Sequence, residues 1–205
     1  MKIFTVTIMK KHLLNLLVPG ILLIFFASAV SAVDLKDETL KITSGKMLFT
    51  LVKTTPQGDS KMSGLANKFK GSINFKDKTV SVTMDINQDD FLLSGKFKFA
   101  NNRMHVTYLE SEKYTNAVFS GQVVSFDPES GKFSVRGNMT LHGVTKSNFL
   151  IDCMIEKTKK ANEYLLTSSF KINLTDFKIP VPDIGLAKVN EVVGLKTKFI
   201  LSVEK

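Results

Sequence analysis

The chain of 205 residues has no tryptophan, a single cysteine, and only Arg103 and Arg136 as arginines. One cysteine rules out an intramolecular disulfide, which excludes the small disulfide-stapled classes of exported protein. Cys153 lies among alternating apolar residues, so it reads as a packing residue rather than a reactive thiol. The basic residues are scattered lysines without a cluster, a pattern of solubility and edge protection that gives nucleic-acid binding no support. There is no HExxH, no CxxC and no Cys/His cluster, so no metal site is expected. A glycine-rich phosphate loop and a GxSxG elbow are also missing. Asp89 and Asp90 form a carboxylate pair in a turn, with no further oxygen ligands at regular spacing, and read as solvated. The chain is therefore not expected to be an enzyme or to hold a resident cofactor.

The first 32 residues stand apart. Lys2, Lys10 and Lys11 precede an apolar run from Leu13 to Val30, which ends in Val30-Ser31-Ala32. A positive start, an apolar middle and a small-residue exit describe a cleaved secretory signal over residues 1–32. An uncleaved membrane anchor is the competing reading, because a run of about 18 apolar residues is long enough to span a bilayer. Pro19-Gly20 in its middle and the Val-Ser-Ala exit favour cleavage near Ala32. Cleavage removes three lysines and no acids, taking the formal net charge from +9 to +6. Residues 33–205 are then one domain with a periplasmic or secreted location. Transient contact with anionic membrane surfaces and a homodimer both stay open.

Period-two alternation dominates that domain. Val80, Val82, Met84 and Ile86 share one parity, as do Phe133, Val135, Met139 and Leu141. Phe149, Ile151, Cys153 and Ile155 follow the same pattern, and so do Leu166, Phe170, Ile172 and Leu174. Val193, Leu195, Phe199, Leu201 and Val203 close the chain. Successive strand side chains point to opposite faces, so each segment has one apolar and one polar face. Turn signals separate the runs, notably Asp127-Pro128-Glu129-Ser130-Gly131, and Pro56-Gln57-Gly58-Asp59 before them. About eight strands at regular spacing predict an all-β sandwich or closed barrel. The one helical segment expected is a short one near Ile184–Val192. Asn138-Met139-Thr140 and Asn173-Leu174-Thr175 match the glycosylation sequon but fall inside expected strands, so they read as chance matches. Alternation alone leaves a filled core and a ligand cavity equally open.

The stretch Gly137-Asn138-Met139-Thr140-Leu141-His142-Gly143-Val144-Thr145-Lys146 resembles the signature of the YceI-like family, closest over Leu141 to Lys146. Arg103-Met104-His105, Tyr114-Thr115-Asn116-Ala117-Val118-Phe119 and Leu174-Thr175-Asp176-Phe177-Lys178-Ile179 follow the order of further family segments, with departures at Thr115, Leu174, Thr175 and Lys178. The resemblance spans roughly residues 39–203. It implies an extended eight-stranded antiparallel lipocalin-like barrel. It also implies a periplasmic carrier of a long-chain isoprenoid, such as a quinone or prenyl phosphate, held in the barrel interior.

With that implication, the expected pocket face is Val80, Val82, Met84, Ile86, Met139, Leu141, Phe170 and Ile172. Arg103, His105, His142 and Lys146 are the candidates for a ligand head group, with arginine suited to phosphate through paired hydrogen bonds. For His142 and Lys146 a tight hairpin permitted by Gly143 is the stronger reading. The 16 phenylalanines and several methionines are suitable walls, being apolar without a polar atom to satisfy. The competing functions are a filled-barrel structural or interaction module of the envelope, and an enzyme using His105 or His142 as general base.

Overall fold

The computed structural model describes residues 32–87, 89, 91–95, 98–183 and 185–204. The expected signal segment lies outside the described residues except for Ala32. The strands are β1 (Thr39–Thr55), β2 (Gly58–Ala66), β3 (Phe69–Asn74), β4 (Thr79–Asp85), β5 (Leu92–Leu93), β6 (Asn116–Asp127), β7 (Lys132–Leu141), β8 (Val144–Lys157), β9 (Glu163–Asn173), β10 (Lys188–Val189) and β11 (Val192–Val203). One short helix, α1 (Lys98–Arg103), runs on into a wider π turn over Met104–Tyr108.

Eight of these strands form a closed antiparallel ring. Its order is β1, β3, β4, β6, β7, β8, β9, β11, and β11 pairs back onto β1 from Leu40↔Val203 to Thr50↔Gly194. β2 continues the line of β3 past a bend at residues 67–68 and pairs with the second half of β1. β5 and β10 are short additions on β2 and β1. The alternation read from sequence places Phe133, Val135, Ile151, Ile155, Leu166, Leu195, Phe199 and Leu201 in the buried interior.

The two ends of the barrel differ. At one end the connections are short, and Val33, Leu35, Phe75, Ile155 and Tyr164 pack together as a floor. The Val33 N–H donates to Pro128 O at 2.8 Å, which anchors the N-terminal segment across this end. The Asp127–Gly131 connection forms as its residues dictate. Asp127 carboxylate oxygens accept from the Glu129 N–H and the Ser130 hydroxyl, and Gly131 takes φ +69°. Those two bonds hold the Asp127 carboxyl below its ordinary range. At the opposite end, residues 86–115 and 174–191 make two long connections between neighbouring ring strands. Connections of that length are uncommon in compact domains and usually carry function.

One expectation is corrected. The segment near Ile184–Val192 is not helical. Its described residues make a bridge at Asp183, a turn at Gly185 (φ +80°) and strand β10. Pro180 and Pro182, with a left-handed glycine, favour extended and turning backbone over helix. The helix is instead α1, whose Asn101 and Asn102 are poor helix formers. It is tied down by tertiary contact: Asn101 Oδ1 accepts the Leu93 N–H at 2.7 Å. Asn138 lies within β7, and Asn173 is the last residue of β9.

Gly121 of β6 sits directly opposite Gly137 of β7. A Cβ on Gly137 would stand 2.1 Å from Ser120 O and 2.5 Å from Gly121 Cα, so the strands approach as closely as they do because neither carries a side chain. Gly194 of β11 has no such neighbour, its nearest contact being Thr50 O at 4.0 Å. We expect Gly137→Ala to lower stability by about 1–3 kcal/mol, the usual cost of overpacking, and Gly194→Ala to change it by less than about 0.5 kcal/mol. Urea denaturation of the two variants checks this, and equal midpoints would refute it.

Candidate functional site

The interior of the barrel is hollow. A cavity of about 500 Å³ runs from Phe133 and Leu201 above the floor to Phe99 and Pro182 at the other end. That volume is in the range of ligand pockets, roughly 300–1,000 Å³. Several inward residues, including Val82, Met139, Cys153 and Phe170, are only half-buried although they face inward, because they front empty space instead of a packed neighbour.

The walls are almost wholly apolar. The hydroxyls of Ser168 and Thr197, on the facing strands β9 and β11, hydrogen-bond each other at 2.7 Å and so need nothing from a ligand. The Cys153 thiol also lines the cavity. Burial, and secondarily the charge of Asp152, push it up to about 12. Two cations, Lys53 and Arg103, lie on the lining near the open end. The Arg103 guanidinium stands over the rings of Phe99 and Tyr108, at 5.8 and 5.6 Å from their centroids.

The two long connections frame the mouth. From the first, Phe99, Ala100, Met104 and Tyr108 face the cavity; from the second, Ile179, Pro180 and Pro182. Phe99 is 76% exposed while lining the cavity, which marks this end as the opening. Phe91, ahead of α1, packs edge-on to Phe49 of β1 and to His105, fixing the first connection to the barrel.

All eight residues of the expected pocket face lie on the cavity lining, and so does Arg103. His105, His142 and Lys146 do not. His105 Nε2–H donates to Phe91 O at 2.7 Å, and its Nδ1 meets the Ser111 hydroxyl at 3.3 Å. His142 is buried in the β7–β8 turn. With Gly143 it takes positive φ (+50° and +72°), the pattern of a type I′ turn between the paired residues Leu141 and Val144. Its Nδ1–H donates to Phe177 O at 3.2 Å and its Nε2 meets Glu110 Oε2 at 2.9 Å. His142 thus ties both long connections to the barrel rim. Lys146 pairs with Asp176 at 3.3 Å, a second tie to the second connection. These three residues shape the mouth from behind because their polar atoms are taken by backbone and carboxylates. The mouth residues Phe99, Met104 and Tyr108 escaped the sequence reading; their one signal is the spacing of Ala100, Met104 and Tyr108, four apart along the chain.

A family model for the YceI-like domain matches residues 35–203. The chain belongs to the YceI-like family. UPF0312 proteins of Shewanella oneidensis and Vibrio campbellii are 30% and 28% identical over 141 and 139 residues, covering 67% and 63% of this chain and 70% of each relative. Among solved structures, Burkholderia cenocepacia BcnA aligns with a TM-score of 0.57 at 14% identity, covering 76% of this chain and 95% of that one. A polyisoprenoid binding domain from Saccharophagus degradans aligns with a TM-score of 0.54 at 12% identity, covering 80% and 99%. These likenesses show the shared barrel fold. The YceI-like signature read in the sequence is the His142 turn with its tie through Lys146.

Two outcomes are expected. His142→Ala leaves Phe177 O and Glu110 without their shared partner and should lower stability by about 1–3 kcal/mol. Thermal or chemical melting checks it, and an unchanged midpoint would remove the clamp role. For Cys153, the thiolate is the reactive form, so a value near 12 leaves a fraction of only about 10⁻⁴ at pH 8. Alkylation of the native protein should be slow there and quicken about tenfold per pH unit below the shifted value, with full reactivity in denaturant. Alkylation at pH 8 as fast as in denaturant would contradict the buried placement.

Proposed function

We propose that this YceI-like protein is a periplasmic, non-catalytic carrier of a long apolar ligand, a polyisoprenoid such as a quinone or prenyl phosphate, held in the barrel. One observation carries the reading: a cavity of about 500 Å³ whose polar wall atoms lie near the mouth or are already paired with one another. An isoprenoid tail has large apolar area and almost no hydrogen-bonding capacity. Burying about 400 Å² of it contributes roughly 10 kcal/mol gross at 25 cal/mol per Å². The lost freedom of the bound chain reduces that considerably. The Saccharophagus degradans neighbour is a polyisoprenoid binding domain, which supports the same ligand class.

The hollow interior argues against the filled-barrel structural module. In support of a non-catalytic role, both ring nitrogens of His105 and of His142 are engaged within the fold, and neither residue lines the cavity. Export is supported by the basic, apolar and small-residue pattern of residues 1–32. Val33 and Leu35, directly after the expected cleavage point, are 2% and 0% exposed and belong to the folded domain.

Organic extraction of the purified protein, followed by mass spectrometry, should recover an isoprenoid lipid. Met84→Lys and Leu141→Asp, each placing a charge on the apolar wall, should reduce uptake at least tenfold in folded protein. Lipid-free wild-type protein without affinity for quinones or prenyl phosphates would overturn the proposal, as would unchanged uptake by both variants.

A further inference from the structure

Among the described residues, the three most exposed large hydrophobic side chains are Leu186 at 81%, Phe99 at 76% and Val106 at 62%. All three lie on the two long connections at the mouth. The next, Val124 at 50%, is on the barrel wall. Single exposed apolar residues on a surface need no explanation. Their concentration on the two segments around one opening does.

The charges beside them are uneven in how they are used. Residues 98–109 contain Lys98 and Arg103 and no carboxylate. Lys188 follows Leu186 by two residues, and Lys53 is held in register with Val189 on the adjoining strand. Among the described residues none of these four cations has a carboxylate partner. Of the acids on the same connections, Glu110 is taken by His142 and Lys113, Asp176 by Lys146, Asp183 by the Gly185 N–H and Glu191 by the Thr175 hydroxyl; Asp89, Asp90 and Glu112 lie on the first connection outside residues 98–109. Apolar tips ringed by cations without carboxylate partners match the interface of an anionic bilayer, where the tips enter the acyl boundary and the cations meet lipid phosphates.

We propose that the mouth is a docking surface for an anionic lipid bilayer, seated through Phe99 and Leu186 with Lys98, Arg103 and Lys188 at the headgroups. The proposal rests on the carrier reading. A polyisoprenoid has almost no solubility as a free molecule, so a carrier exchanges it most directly with its opening against the membrane. Docking at the mouth brings the apolar lining and the bilayer interior into continuity. The transferred tail then crosses no water.

The test uses the exported protein as the cell processes it, with its N-terminus sequenced. It is floated with vesicles of phosphatidylcholine alone or mixed with phosphatidylglycerol. Wild type should float with the anionic vesicles, less so as salt rises. Leu186→Asp and Lys188→Glu, which leave the cavity lining untouched, should each weaken flotation about tenfold. Quinone binding from detergent solution should stay the same in both. Wild type that remains in the aqueous phase, variants that float like wild type, or a wild-type dimer that Leu186→Asp breaks apart would each overturn the docking surface. Loss of quinone binding by wild type in the vesicle-free assay would instead remove the carrier reading beneath it.

Discussion

The barrel depends on the pairing of β1 with β11. These two strands come from opposite ends of the domain, and their register from Leu40↔Val203 to Thr50↔Gly194 turns an open sheet into a closed one. Closure removes the sheet edges that would otherwise invite pairing with another chain. It also makes an empty interior sustainable. In an open sandwich, two sheets collapse until their side chains interdigitate. In a ring of eight strands the backbone hydrogen bonds fix the circumference, and the inward side chains are not required to meet. The cavity therefore follows from the register of the backbone together with the choice of residues that stop short of the axis.

The alternation from Val80 to Val203 was sufficient to assign the faces of most ring strands, because each has one buried and one solvated side. β1 was not identified as a strand. Its buried parity switches from Leu40 and Ile42 to Met47 and Phe49 across a bulge between Ile42 and Ser44, and Leu48 and Val52 are apolar at the opposite parity. α1 was missed because Asn101 acts through its side chain on Leu93, a contact with no local signature. The site was legible in the same measure. Wall residues obey period two, and the eight expected on that basis lie on the cavity lining. Head-group candidates chosen for their chemistry divided: Arg103 stands on the lining, while the ring nitrogens of His105 and His142 are taken by the backbone and by Ser111 and Glu110. A titratable residue in a recurring motif carries no indication in sequence of whether its partner is a ligand or the chain itself. For His142 the neighbouring Gly143 was the informative residue, because two successive positive-φ positions specify a hairpin turn.

The two ends of the molecule divide stability from function. At the floor, Leu35, Leu40, Ile155 and Leu201 are fully buried, connections are short, and aromatic pairs such as Phe75–Phe133 fill the space. At the mouth, two long connections carry exposed hydrophobics at their tips and are anchored by buried Ile86, Phe91, Phe177 and Ile179 together with the polar ties of His142 and Lys146. Segments with few buried apolar contacts open at lower free-energy cost than the core. α1 and the π turn after it contain no buried residue, so this part of the mouth opens at lower cost than the ring of strands. The family signature combines two roles: Met139 and Leu141 line the cavity, while His142 and Lys146 supply the polar ties. A wall of interchangeable apolar side chains tolerates substitution as long as it stays apolar. A left-handed histidine that bonds two separate connections from one position has no equivalent replacement, because the turn backbone and both hydrogen bonds depend on that one residue.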